Sequence, residues 1–552
     1  MEPTMQDYPL TVQHVLWRIE KLFRRKEIVT KRETGIHRYT YGDFAARVHQ
    51  VAHMLERLGV RPGDRVGTLA WNNERHLELY YAIPCMGAVL HTLNLRLFPE
   101  QLAFVIEDAG DKVLCVDKSL IPILNKIAGK IPTVETIIVL NDGGDLPEHD
   151  LGAMRDYETL IASEPTSYDW PTLDERAPAG VCYTSGTTGN PKGVVYSHRS
   201  QFLHTMGVLQ KGCLNLGEED VVLPVVPMFH ANSWGLPYAA GMAGAKLVLP
   251  DRWMGDGATL IELSQTEGVT VLAGVPTIWI NLLRQIELTG ARLPKVHTVV
   301  CGGSAIPPAL MEGMEKQGLR MLHAWGMTET SPLGTVSIPR SWQPADEALG
   351  IRLKQGPPIP GVELRIADLA TGAELPWDGE AFGEVQVRGP WVARGYHHNA
   401  DPGKLTDDGW FKTGDVATID PDGFVAIVDR TKDVIKSGGE WISTIELEGT
   451  IMAHPKVLEA TVVGLAHPQW VERPVAFVVT RPEHAGMVTP EEIRGFLTDK
   501  VARWWIPDEI RFIAEIPKTS AGKFDKKVLR AQAAPLESNE QRAMSNETSR
   551  QQ

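Results

Sequence analysis

The chain holds few cysteines, and no two are placed to act together. Five occur in 552 residues (Cys85, Cys115, Cys182, Cys213, Cys301), scattered and without C-x-x-C spacing. Neither a disulfide framework nor a zinc motif is signalled, and a reducing cytoplasm fits best. There is no surplus of basic residues either: 55 Lys and Arg against 69 Asp and Glu give a formal net charge of −14. That argues against a nucleic-acid binder, whose affinity rests on a basic surface neutralising phosphates. A small polyanion stays open, because it needs only a local patch of donors. The stretch 1–10 has acids and prolines where a secretory signal needs a basic run followed by an apolar block. Two segments lack charge, Leu79 to Leu95 and Val221 to Ala245, but prolines and glycines interrupt both. Either would make a poor spanning helix in lipid, so both read as buried core and no transmembrane segment is expected.

What is present is a chain too long for one core, since single cores stop growing at roughly 250–300 residues. At least two domains are expected, and 43% hydrophobic with 22% charged residues is a globular composition. From Tyr41 onward helical patterns alternate with short β-branched runs. Phe44 to Leu58 and Glu74 to Met86 read as helices. Arg65 to Ala70, Val113 to Val116, Ile137 to Leu140, Val221 to Val226, Lys246 to Leu249, Val269 to Ala273 and Thr298 to Cys301 read as strands. Alternating βα units imply mainly parallel sheets covered by helices. From Val362 to Val428 short strands broken by Asp378-Gly379, Asp408-Gly409 and Asp422-Gly423 suggest hairpins in a small barrel or distorted sheet.

After Arg430 a second, compact α+β pattern begins. It holds helices near Ser443 to Ala453 and Glu491 to Val501, and strands at Ala460 to Leu465, Val475 to Val479 and Glu509 to Phe512. The fold class is therefore α/β: a large N-terminal domain of stacked, mainly parallel βα sheets with a small distorted barrel, then a small mobile α+β domain. The polar stretch 533–552 has almost nothing to bury and is expected to be disordered.

The chemistry is concentrated in Tyr183-Thr184-Ser185-Gly186-Thr187-Thr188-Gly189-Asn190-Pro191-Lys192-Gly193. Glycines let the backbone approach an anion, successive N–H groups form a nest for it, and hydroxyls add donors. Lys192 supplies a compact positive charge. A plain surface turn is the bland alternative, but Val181-Cys182-Tyr183 enters it as a strand and Val194-Val195-Tyr196 resumes apolar structure. The NTPase P-loop, G-x-x-x-x-G-K-[ST], fails on spacing: Gly186 and Gly189 are too close, Pro191 precedes Lys192, and Gly193 stands where a hydroxyl should bind magnesium. Further on, Trp325-Gly326-Met327-Thr328-Glu329-Thr330 offers hard oxygen ligands of the kind magnesium on ATP needs. Cys301-Gly302-Gly303-Ser304 sits at a strand end, where ligands of parallel sheets tend to lie.

Together with Thr413-Gly414-Asp415, Asp429-Arg430-Thr431-Lys432 and Pro517-Lys518-Thr519-Ser520-Ala521-Gly522-Lys523, these segments closely resemble the adenylate-forming superfamily. That superfamily comprises acyl-CoA synthetases, firefly luciferase and peptide-synthetase adenylation domains. The resemblance runs from about Tyr39 to Arg530 with the motifs in the family's order. It is nearest to the medium/long-chain fatty acyl-CoA synthetase branch, whose bacterial members include ligases for thioether acids such as 3-methylmercaptopropionate.

The resemblance implies ATP, Mg²⁺ and coenzyme A acting with a small carboxylic acid. It makes Thr184 to Lys192 the phosphate loop, Glu329 with Thr184 the magnesium ligands, and Thr328 a contact to the phosphates. Gly302, Gly303, His323, Ala324 and Trp325 flank the nucleotide, and Asp415 and Arg430 reach the ribose and phosphate. Lys523 is the lysine of the adenylation step, Lys432 the pivot of the small domain, and Lys436 with Trp441 part of the thiol tunnel. The implied division is 1–431, 432–532 and a tail.

Amino-acid-activating relatives carry an aspartate after the phenylalanine of Pro227-Met228-Phe229, and here that place is His230. An α-amino acid is thus not expected, and His230, Ala231, Trp234, Gly302 and Trp325 are expected to line a mostly apolar acyl pocket. Trp325 stands where many fatty-acid relatives have tyrosine, and its bulk favours small or medium chains. Two other readings stay open: an adenylating enzyme that loads a carrier protein, and a nucleotide-binding relative without turnover. The oligomeric state is left between monomer and homodimer.

Overall fold

The β-branched runs that follow Tyr41 form parallel strands, because each is buried on both faces and carries apolar residues throughout. In the computed structural model, residues 1, 4–184, 190–437, 440–518 and 524–533 are described. Two compact units result: Met1–Thr413 with Thr418–Ile427, and Gly414–Ala417 with the chain from Val428 onward.

The first unit holds a seven-stranded sheet in the order Met154–Asp156, Thr136–Leu140, Asp111–Asp117, Arg65–Leu69, Val89–Thr92, Pro178–Tyr183, Gly193–Ser197. All its pairs are parallel except the last. An eight-stranded sheet runs Leu333–Val336, Met321–Gly326, Thr298–Cys301, Val271–Gly274, Val221–Pro224, Lys246–Leu249, Glu27–Arg32, Gly35–Thr40. Its last two strands form a hairpin that the strand signals did not reveal; it docks by pairing Ile28 with Leu247. The helix Tyr41–Arg57 follows at once, started by a capping box in which Thr40 and Asp43 exchange side-chain and backbone hydrogen bonds. Such a box contributes about 1 kcal/mol.

Every residue of the helix Glu74–Cys85 is buried, including Glu78, whose carboxylate accepts from Arg47 at 2.6 Å and Tyr157 at 2.7 Å. Removing one partner of so buried a pair costs about 3–5 kcal/mol. Beside this helix, the Asn72 side chain donates to the carbonyls of Pro224 (2.9 Å) and Val226 (2.8 Å) and accepts from Met228 N–H (2.7 Å). One amide thereby ties the C-terminal edges of the two parallel sheets, where ligands of such sheets bind. The uncharged segments resolve into this core, and among the described residues no helix is long and apolar enough to cross a membrane.

A third sheet, ordered Glu363–Ala367, Phe382–Arg388, Phe411–Ile419, Val425–Arg430, turns at Gly379, Gly409 and Gly423, all at φ between +82° and +86°. These are the Asp-Gly turns expected there. The Thr-Gly-Asp motif is not one of them, since it lies inside the strand Phe411–Ile419.

In the second unit Val457–His467 and Val471–Thr480 form a long hairpin; Ile435–Ser437, itself paired with Glu440–Ile442, and Glu509–Phe512 both pair with Val471–Thr480. Helices Thr444–Met452, Pro490–Leu497 and Lys526–Ala533 accompany it. The helix expected to reach Val501 stops at Leu497: Thr498 turns extended (ψ 134°) and Asp499 is left-handed (φ +65°). Of the stretch expected to be disordered, Ala533 ends a helix and is buried; residues 534–552 lie outside the described ones.

Candidate active site

The strand Pro178–Tyr183 turns back on Gly193–Ser197 with Tyr183 opposite Gly193, so the hydroxyl-rich segment is a hairpin loop. Ser185, Gly186, Thr187, Thr188 and Gly189 lie outside the described residues. At the loop's base, Thr184 N–H donates to the Lys192 carbonyl at 2.9 Å, and Lys192 N–H donates to the Thr184 hydroxyl at 3.2 Å. The Lys192 ammonium stands 2.6 Å from an Asp401 carboxylate oxygen and 5.2 Å from the centroid of the Tyr396 ring.

The Tyr396 hydroxyl in turn donates to the Glu329 carboxylate. Burial and that carboxylate push the Tyr396 phenol well above its usual range, so it stays protonated and a donor. The turn Thr328–Thr330 is buried, held by Tyr196 O–H donating to the Thr328 carbonyl (2.8 Å) and Ala393 N–H donating to the Glu329 carbonyl (2.7 Å). The structure thus joins Thr184, Lys192 and Glu329 through Tyr396. Neither Tyr396 nor Asp401 was marked by the sequence reading; the one available signal is an aromatic after Gly395 in a polar loop.

In the segment expected to line the acyl pocket, Ala231, Asn232, Ser233 and Trp234 take φ of +44° to +55° in succession. A left-handed L residue costs roughly 1–2 kcal/mol, and here the turn is held by the Ser233 hydroxyl donating to the Val226 carbonyl at 2.7 Å. A Cβ on Gly302 would meet the Ala324 carbonyl at 2.8 Å and the Trp234 ring at 3.2 Å. Gly302 is therefore the contact point of those two walls. One on Gly303, at φ +83°, would lie 3.3 Å from a Val275 methyl. The Trp325 ring packs on Gly334, where an added Cβ would fall 2.6 Å from it. His323 is buried, with Nδ1 2.9 Å from the Leu353 carbonyl, and burial lowers its pKa to about 4, leaving the ring neutral. His230 precedes the left-handed turn, its carbonyl accepting from Ser233 N–H at 3.2 Å.

In the second unit, Arg430 and Asp415 form an ion pair at 2.9 Å. The Lys432 ammonium has its pKa lowered by burial, and the Lys432 carbonyl accepts from Arg530 at 3.0 Å. Lys436 lies opposite Trp441 with its ammonium 5.2 Å from the indole centroid. Lys523 lies outside the described residues. The chain on either side of it is pinned: Asp525 N–H donates to the Pro517 carbonyl at 2.7 Å, and the Lys526 ammonium reaches Glu448 at 2.7 Å and the Thr444 hydroxyl at 2.6 Å.

A profile of the family described as AMP-binding enzyme matches residues 18–397, and one of the AMP-binding enzyme C-terminal domain matches residues 446–523. The chain is 47% identical over 536 residues to the long-chain-fatty-acid–CoA ligase of Thermus thermophilus, covering 96% of each chain. It is 45% identical over 510 residues to the medium-chain-fatty-acid–CoA ligase of Ectopseudomonas oleovorans, covering 92% of each. Identity to the 3-methylmercaptopropionyl-CoA ligase of Ruegeria lacuscaerulensis is 42% over 535 residues, 95% of this chain and 98% of that one. Among solved structures, an anthranilate CoA ligase in complex with anthranoyl-AMP superposes with a TM-score of 0.82 at 26% identity, covering 96% of this chain and 99% of that one.

Proposed function

The chain belongs to the AMP-binding enzyme family and is an ATP-dependent acid–CoA ligase acting through an acyl adenylate, and on that premise we propose that its acid is a fatty or related acid of short to medium or long chain. The observation that carries this reading is the wall formed where Trp234 and Ala324 meet at Gly302, with His230 in place of an acid that would hold a substrate ammonium. The fatty-acid ligases among the relatives support it.

In the first half-reaction the carboxylate attacks the α-phosphate and pyrophosphate leaves, since AMP is a far better leaving group than oxide in the step that follows. Lys192 and the loop Thr184 to Gly189 hold the departing phosphates, with Thr328 beside them. Lys523 offsets the charge that builds at the reacting centre. Asp415 accepts from the ribose hydroxyls, Arg430 steadies the nucleotide, and Gly302, Gly303, His323, Ala324 and Trp325 border it. The donor set at Glu329, a buried carboxylate beside the hydroxyl of Tyr396, is made of the hard oxygens magnesium prefers. Glu329 and Thr184 would hold that ion, which when bound draws charge from the pyrophosphate.

In the second half-reaction the thiol of coenzyme A attacks the acyl carbon and releases AMP. Lys436 and Trp441 serve the thiol, and the change of task pivots at Lys432. The five cysteines, all buried and unpaired, support a reducing, cytoplasmic setting.

The test is pyrophosphate release with acids from acetate to palmitate, including aryl and thioether acids, with and without coenzyme A. A straight-chain acid is expected to give release and, with coenzyme A, the thioester. Absence of release with every acid would overturn the reading. Release without thioester would leave adenylation and point to a carrier protein as acceptor.

A further inference from the structure

Next to the phosphate hairpin, three side chains with metal-ligating atoms converge from two distant parts of the chain. Asp108 is the penultimate residue of the helix Pro99–Ala109, and His397 and His398 follow Tyr396 in a short turn. One ligating atom from each lies within 4.8 Å of the others. A tetrahedral ion with bonds of about 2.0–2.1 Å sets its ligands about 3.4 Å apart, so a modest contraction closes the site.

Adjacent residues in an extended chain point to opposite sides. His397 and His398 do not, because His398 and Asn399 are both left-handed at φ +53°. The two imidazoles come to lie 3.8 Å apart, centroid to centroid, at 37°. That conformation costs of order 1–3 kcal/mol per residue, and its result is two ring nitrogens turned to one carboxylate.

The surrounding groups are arranged as they are around bound metals. Tyr183 O–H donates to Asp108 at 2.6 Å and fixes the carboxylate. A ligand carboxylate held by a donor is a usual outer partner of a metal. Arg65, the nearby cation, donates to the carbonyls of Gly63, Ala109 and Gly110, and among the described residues Asp108 enters no ion pair. The helix end it occupies is itself favourable to a cation.

We propose that Asp108, His397 and His398 form a binding site for a first-row divalent transition metal, zinc in the first instance. Two imidazoles select such an ion over magnesium. The site is separate from Thr184 and Glu329 and independent of which acid is activated. It joins the two ends of the phosphate hairpin, through Tyr183 on one side and through Gly193 on the other, where an added Cβ would lie 3.1 Å from that of His397.

The full chain, freed of metal by dialysis against chelator, is titrated with Zn²⁺ against a chromophoric competitor, and the Co²⁺ form is examined for visible d–d bands. One zinc per chain is expected. The exposed-residue variant His398→Gln and the double variant His397→Ala/His398→Ala should bind it at least tenfold more weakly and lose the Co²⁺ bands. Tyr183→Phe should weaken it less, with the ion still bound. Circular dichroism of His398→Gln, whose side chain is exposed, separates loss of the site from loss of the fold. Equal zinc affinity in the wild type and in folded His398→Gln would overturn the proposal, as would displacement of the zinc by Mg²⁺ at similar concentration.

Discussion

The ammonium of Lys192 lies 2.6 Å from the carboxylate of Asp401, with the side chains about three-tenths exposed. In the absence of a phosphate, Asp401 occupies the charge that ATP must claim. A partly exposed pair of this kind contributes about 0.2–1 kcal/mol. Asp401→Asn should therefore lower the KM for ATP by up to roughly fivefold, while Lys192→Ala raises it. Pyrophosphate release against ATP concentration reads both, and an unchanged KM in Asp401→Asn would remove Asp401 from the account.

Tyr396→Phe keeps the ring under Lys192 and deletes only the donor to Glu329. A hydrogen bond to a charged group is worth about 1.5–3 kcal/mol. The variant should need more Mg²⁺ for half-maximal rate and lose about tenfold or more in kcat, with the KM for ATP little changed. Tyr396→Leu should add an ATP defect, because it also removes the face beneath the ammonium. If Phe and Leu variants behave alike, the hydroxyl and the ring have no separate tasks.

Gly302→Ala should lower kcat/KM for every acid. Its methyl has no room against the Ala324 carbonyl at 2.8 Å, a backbone atom that cannot turn aside. Steady-state kinetics across chain lengths check this; full activity with long acids would show that the wall lies elsewhere.

Stability should peak near pH 6.5. Burial lowers His76, His198 and His323 to about 4 and His204 to about 3 from an ordinary 6.5. The unfolded chain binds their protons first, so their contribution is present above 6.5 and is lost as pH falls toward 3. Burial raises Asp117 to about 7 and, with Asp117 beside it, Asp251 to about 9, from 3.8. The folded chain keeps those protons, so their contribution is lost as pH rises through 7 to 9. Of these six groups, the four histidines outweigh the two aspartates below 6.5, and above it the two aspartates act. Thermal melts from pH 4 to 9 test the peak, and Asp251→Asn should flatten the alkaline limb.

Val471 is β-branched, exposed and at φ +71° at the tip of the long hairpin of the second unit. Such a conformation costs of order 1–3 kcal/mol, against about 0.5–1 kcal/mol of added chain entropy for glycine. Val471→Gly should stabilise that unit by about 1 kcal/mol in denaturant unfolding. A loss of stability would show that the side chain has contacts worth more than the strain.

The parallel core could be read from the chain because its strands are short apolar runs; Lys246–Leu249 and Thr298–Cys301 fall where expected to the residue. The helix Val12–Lys21 and the hairpin Glu27–Thr40 could not. The strands of that hairpin carry Lys31, Arg32 and Arg38, only the second strand lies at the sheet edge, and their place depends on pairing Ile28 with Leu247 far along the chain. The site divides in the same way. Lys192 and Glu329 announce themselves by residue type within short motifs, whereas Tyr396 and Asp401 matter only through partners brought to them by the fold.

The turn from Ala231 to Trp234 is wound against the handedness of its own amino acids. Glycine, which has no handedness, would relax it, and a D-alanine at 231 would sit there at ease. It persists because its neighbours are packed closely enough to refuse any other course. A lesion that loosens those neighbours would let this segment spring back before the sheets part. With this turn bordering the acid, as proposed, choice of acid should blur at temperatures where the molecule is still folded.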